Sequence, residues 1–149
     1  MRKKNLLDNR KRNYSDITNE LKFDLFEEEI RQNKFYTEEK IKLFQKRDSV
    51  QKFSPVAIKE NQKVLLTNIR SVFRNHQTNY KIVISPLYNQ LKLNPADLKY
   101  MKELFGENNV YDFSGINKIT EDYRNYYEPS HYRPDVANEI MKEIYSGIK

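Results

Sequence analysis

Glu128 stands three residues before His131 in the run Tyr126-Tyr127-Glu128-Pro129-Ser130-His131-Tyr132-Arg133-Pro134, and His131 is one of two histidines in the chain. A carboxylate at this spacing can accept the Nδ1 hydrogen of the imidazole, fix its tautomer and stabilise its charged form. That prepares Nε2 to take a proton, with His131 as general base and Glu128 as the acid that orients it. Around the pair, Tyr127 and Tyr132 offer rings against which a sugar or acyl group can stack. Arg133 offers a guanidinium for a carboxylate or phosphate. The plainer alternatives stay open: a histidine that hydrogen-bonds locally beside a helix start, tyrosines that pack the loop, and a surface arginine.

The elements that must position this run read as two halves. Ile17, Leu21, Leu25, Phe26 and Ile30 recur at helical spacing, so a helix is expected over 15–31, and Thr37 can cap a second one carrying Ile41 and Phe44. Ser54-Pro55 breaks the pattern, after which Ile58, Leu65, Leu66, Ile69, Val72 and Phe73 mark a long amphipathic helix to about Asn75. Residues 15–76 are thus expected to be helical. From residue 81 the character changes. Lys81-Ile82-Val83-Ile84-Ser85 has the look of a strand buried on both faces and is ended by Pro86. Asn94 caps a helix with Pro95 in its first turn and Gly106 at its end, and Asn109-Val110-Tyr111-Asp112-Phe113 reads as a second strand. Together these predict a βαβ unit with a right-handed crossover. A helical turn or two over 116–124, a loop holding the opening run, and a last helix from Pro134 with Val136, Ile140, Met141, Ile144 and Tyr145 on its apolar side complete the chain.

Two parallel strands do not make a stable sheet. The expectation is therefore that Val56 to Ala57 or some part of the amino-terminal half adds a strand, or that the missing strands belong to a second chain or a longer parent.

Composition sets further bounds. The chain has 149 residues, enough for one domain with a core, expected as a single α/β unit over 15–149 behind a basic arm over 1–14. Lys and Arg outnumber Asp and Glu by 27 to 21, but Arg2, Lys3, Lys4, Arg10, Lys11 and Arg12 sit in the arm against Asp8 alone. No domain-wide basic face is implied, which argues against nucleic acid as the partner. The absence of cysteine excludes disulfides, thiolate metal sites and a cysteine nucleophile. No run approaches the ~20 apolar residues of a membrane span, and Leu6-Leu7 is interrupted at once by Asp8, so no leader is visible. His76 and His131 lack the spacing of a metal site, and no cofactor is expected.

The order strand, helix, strand ending in Asp112-Phe113-Ser114, tyrosine-rich loop, Glu128-x-x-His131 and terminal helix resembles the carboxyl-terminal half of the SGNH hydrolase-like superfamily. It is most similar to the branch of alginate O-acetyltransferase-type cell-surface proteins, whose late block reads Tyr-Asp-x-Ser-His-Tyr. The matching residues are Tyr127, Glu128, Ser130, His131 and Tyr132, and the likeness spans residues 79–146. The resemblance implies a partial doubly wound parallel sheet of the three-layer α/β/α type, with the helical half in front. It implies a serine esterase or O-acyltransferase ancestry, cell-envelope carbohydrate or an acyl ester as substrate, and His131 and Glu128 as the catalytic base and its orienter. Glutamate replaces the family's aspartate, and no Gly-Asp-Ser occurs, the three glycines being Gly106, Gly115 and Gly147. Ser85 and Ser114 lie at expected strand ends, where a serine is more often a loop hydrogen-bonder than a nucleophile. The chain is thus expected to be a fragment or degenerate member that is not catalytic on its own. The rival expectation is a noncatalytic α/β interaction module that binds a protein or polyanion through the basic arm or the amino-terminal helices.

Overall fold

A computed structural model describes residues 23–44, 47 and 49–146. The basic arm and the first part of the helix expected over 15–31 lie outside the described residues. The chain divides into two compact units, Met1–Ile41 and Lys42–Lys149, where the sequence suggested one unit over 15–149.

In the first unit, α1 (Asp24–Arg31) carries Asp24 and Glu27 in its first turn and Arg31 in its last, the charge order that the helix dipole favours. The second helix is a single turn, α2 (Glu38–Ile41), started by Thr37, whose Oγ1 accepts the Lys40 N–H at 3.3 Å. Phe35 is buried against Phe26, with ring centroids 5.3 Å apart, and Lys40 Nζ stands over the Phe35 ring.

The second unit mixes helices and short strands. Its centre is the expected βαβ: β2 (Ile82–Ile84) pairs in parallel with β4 (Val110–Asp112), joined through α4 (Pro95–Phe105). The local signals act as anticipated. Asn94 Oδ1 accepts the Ala96 N–H at 3.0 Å, Pro95 opens the helix, and Gly106, at φ 98°, ends it. Met101 and Phe105 of α4 and Val110 of β4 form a buried cluster. Leu98 and Leu104 of α4, Ile58, Tyr80, Ile82, and Leu66 and Phe73 of α3 (Glu60–Asn75) pack against it. Each such side chain withdrawn from water contributes roughly 1.5–3 kcal/mol before the entropy of ordering is set against it.

Four expectations need correction. The amino-terminal half is not all helix, because β1 (Lys52–Phe53) pairs in parallel with β3 (Leu91–Lys92). Two residues are too few for a period-two pattern to show, and the pairing partner, not the local sequence, makes this strand. The hidden strand is thus not Val56 and Ala57 but another part of the amino-terminal half, and it does not join β2 and β4, since among the described residues the strands form three separate pairs. The loop holding the opening run is an antiparallel hairpin, β5 (Tyr126–Glu128) and β6 (His131–Tyr132), which leads into α5 (Pro134–Tyr145). Finally, β2 is half-buried at all three residues instead of buried on both faces, because among the described residues only one of its edges is paired.

Side chains, more than sheets, tie these pieces together. Asp97, in the first turn of α4 and 1% exposed, accepts the Ala57 N–H at 2.8 Å and the Ile58 N–H at 3.1 Å. The segment entering α3 is thereby fastened to the start of α4. Arg47 donates to the carbonyls of Thr120, Glu121 and Tyr88 while its guanidinium lies 3.9 Å from the Tyr88 ring centre. Asp97→Ala is expected to leave two N–H groups without acceptors and cost about 1–3 kcal/mol. Urea unfolding should show the lower midpoint at unchanged slope, with Asp97→Asn recovering part of the loss.

Candidate functional site

The hairpin turn Glu128-Pro129-Ser130-His131 brings the two expected partners face to face, since Glu128 and His131 are directly paired across β5 and β6. Glu128 Oε1 meets His131 Nδ1 and also accepts the Ser130 hydroxyl at 2.7 Å. Partial burial pushes the Glu128 carboxyl up, but the hydrogen bonds from Ser130 and His131 outweigh it. The net effect holds the group below the usual carboxylate range. An ionised carboxylate only accepts, so the Nδ1 position carries the hydrogen and Nε2 is left with the lone pair in the neutral ring. His131 is 72% exposed and its Nε2 has no partner among the described residues. This is an imidazole presented to solvent with its orientation fixed from behind.

The hairpin is anchored beside the sheet. Tyr126 is fully buried and its hydroxyl donates to the Pro86 carbonyl at 2.7 Å; burial pushes its phenol well above the ordinary value. The Tyr88 N–H donates to the Pro129 carbonyl at 3.1 Å. Both anchors end on the segment that leaves the carboxyl end of β2, the end at which open α/β sheets bind ligands.

The other expected site residues separate into different roles. Tyr127 is buried, so its ring packs the hairpin and does not form an open wall. Tyr132 lies opposite Tyr126 in the ladder and is half-buried. Arg133 occupies the position before α5 without a side-chain cap bond; its guanidinium donates to the Arg124 carbonyl at 3.2 Å and lies 3.7 Å from Asp135. Tyr132 and Arg133 still flank His131 in sequence, at the base of the same hairpin.

A second cluster forms where β4 ends, and sequence reasoning noted its serine but not its lysine. Asp112 Oδ1 accepts the Ser114 hydroxyl at 2.5 Å and the Ser114 N–H at 2.9 Å, while Ser114 Oγ accepts the Leu93 N–H at 2.9 Å. Lys92 Nζ donates to the Ser114 carbonyl at 3.0 Å and lies 2.9 Å from Asp112 Oδ2. That ion pair is real by distance but off the line a hydrogen bond needs, so the buried Oδ2 is charge-paired without being hydrogen-bonded. The loop that follows is tight: at Gly115, φ 84°, a Cβ would fall 2.6 Å from both Gln51 Oε1 and Lys92 Cδ. The Asp-x-Ser spacing is an Asx-turn signal and was legible; Lys92 comes from a strand that local pattern does not reveal.

Neither serine is poised as a nucleophile. Ser130 and Ser114 each give their proton to a carboxylate, and no serine hydroxyl contacts His131 among the described residues. No group of three metal-binding side chains occurs among them, and none of their helices is long and apolar enough to cross a membrane.

The depressed Glu128 carboxyl has a pH consequence of definite sign. Its folded value lies below the unfolded one, so its stabilisation is complete above the unfolded value and drains away as pH falls through the folded value. Glu128→Gln should flatten the acid-side fall in melting temperature, and a carbon-13 titration of Glu128 should move upward in His131→Ala.

Set against known proteins, the chain matches no family model, no curated protein and no solved structure.

Proposed function

We propose that this chain carries the acid–base half of a serine acyl-transfer site, as a degenerate or partial SGNH hydrolase-like domain related to esterases and O-acyltransferases of cell-envelope carbohydrate. The observation that carries the proposal is the Glu128–His131 contact, with Nδ1 held and Nε2 exposed. In this role His131 takes the proton of a serine hydroxyl during attack and returns it to the leaving group, while Glu128 stabilises the imidazolium between the two steps. Tyr132 and Arg133 lie beside His131 for contacts with the acyl ester or sugar, and Tyr127 supports the hairpin from within. The same proposal treats β2, α4 and β4 as part of a doubly wound, three-layer sheet, which the parallel register and the helical crossover support.

A hydroxyl nucleophile and oxyanion donors are what create and stabilise the covalent intermediate. With Ser114 and Ser130 bonded to carboxylates and no serine hydroxyl hydrogen-bonded to His131 among the described residues, His131 alone can act only on water or an added nucleophile. A second reading, a noncatalytic α/β interaction module, draws on Leu65, Ile69 and Val72 of α3, which are 61%, 44% and 54% exposed.

The test is turnover of p-nitrophenyl acetate by the full chain. Expected is a slow rate above buffer with no burst, falling about tenfold or more in His131→Ala, since a positioned base supplies ~10²–10⁴-fold at most. Glu128→Gln should lower it less, and His76→Ala should leave it unchanged. Equal rates for His131→Ala and the parent chain would remove the acyl-transfer reading and leave the interaction module.

A further inference from the structure

The Glu128–His131 pair sits on a short platform. Its hairpin pairs Tyr126 with Tyr132 and Glu128 with His131, with an irregular step between them. A two-stranded hairpin is marginal in water by itself, so the placement of its turn must be set by neighbouring segments. The Pro129 carbonyl, between the two partners in sequence, accepts the Tyr88 N–H at 3.1 Å. The Tyr88 ring also stands edge-on to Tyr126, with centroids 5.5 Å apart.

Tyr88 lies in a stretch, 85–90, that is neither helix nor strand, so its own position is not fixed by backbone repeats. Phe44 and Arg47, three residues apart, grip it from two sides. Phe44 packs edge-on with centroids 4.9 Å apart, while the Arg47 guanidinium lies 3.9 Å from the ring centre and donates to the Tyr88 carbonyl at 3.4 Å. The same two residues hold the segment that leads into β5. Arg47 donates to the Thr120 carbonyl and, at 2.8 Å, to the Glu121 carbonyl, and the Phe44 ring lies 5.6 Å from that of Tyr123. A planar fork with five N–H donors can serve three carbonyls at once and still lie flat on a ring; an ammonium cannot.

Arg47 makes no hydrogen bond to Glu128 or His131 among the described residues. Its effect on them passes through Tyr88 and residues 120–121. Of the charged groups nearer the hairpin, Arg124 pairs with Asp122 at 3.0 Å, and Arg133 holds the Arg124 carbonyl and lies 3.7 Å from Asp135.

We infer that Arg47 is a positioning residue for the Glu128–His131 pair: by tying Tyr88 to the Thr120–Glu121 segment, it fixes the turn on which the carboxylate meets the imidazole Nδ1. Without the tie, the Pro129 carbonyl moves with Tyr88 and the Glu128 contact loosens. The hydrogen of the neutral ring then redistributes between Nδ1 and Nε2, because the bond made at one nitrogen selects the tautomer. The positioning stands on this geometry, and its effect on turnover rests on the acyl-transfer reading.

The test is the nitrogen-15 spectrum of neutral His131 in the full chain, which reads which nitrogen carries the hydrogen. Arg47→Met is expected to lower the Nδ1–H fraction about twofold or more, and Arg47→Lys, which keeps the charge and loses the fork, to lower it less. Asp97→Ala, destabilised at a distant joint, should leave it at the parent value. Arg47→Lys decides alone if Arg47→Met does not fold. A parent-like tautomer in folded Arg47→Lys and Arg47→Met would overturn the inference, and so would an equal change in Asp97→Ala, which marks general loosening. With p-nitrophenyl acetate, Arg47→Met should lose about threefold or more in rate, but nothing further in a His131→Ala background. A parent rate equal to that of His131→Ala removes the acyl-transfer reading alone, and the tautomer then decides whether Arg47 positions the pair.

Discussion

Parallel pairing of Ile82, Val83 and Ile84 with Val110, Tyr111 and Asp112 is the constraint on which the second unit depends. A parallel pair needs a crossover, and the crossover here is α4, whose Met101 and Phe105 close over Val110. α3 then docks on α4 and the same face, held at its entrance by the Asp97 carboxylate. Three-residue strands supply few backbone bonds, so helix packing and side-chain clamps carry much of the cohesion. Arg47, Asp97 and Gln51 each bind backbone groups of a segment distant in sequence, as expected where regular sheet is scarce.

The two polar clusters take their character from where strands stop. At the end of β4 the Asp112, Ser114 and Lys92 groups satisfy one another almost completely and lie largely buried, which suits a structural joint. At the hairpin, Glu128 spends one oxygen on Ser130 and His131 and leaves the imidazole exposed. Both clusters pair a serine with a carboxylate two residues away, yet only the second leaves a titratable nitrogen facing solvent. Burial, not residue type, separates the joint from the candidate site.

Much of the fold was legible because its signals are local. Asn94, Pro95 and Gly106 bracket α4 through capping and φ preferences that act within a few residues. The β-branched run at Ile82 to Ile84 announced a strand for the same reason. By contrast β1 and β3 are two residues each, and Lys52, Phe53, Leu91 and Lys92 carry no period that would betray them. The hairpin hid because Tyr-Tyr-Glu-Pro-Ser-His-Tyr mixes strand formers with turn formers, and its two-residue turn shows only when the arms are seen paired.

The sequence by itself determined the βαβ unit, the bounds of α4 and the candidacy of Glu128 and His131, since helix caps, β-branched runs and i, i+3 spacing are properties of neighbouring residues. Only the tertiary structure decided that Tyr126 and Tyr127 are core, that Lys92 reaches Asp112, and that β1 pairs with β3. Those outcomes depend on which distant segments meet, and burial and strand pairing are set by that meeting, not by spacing along the chain.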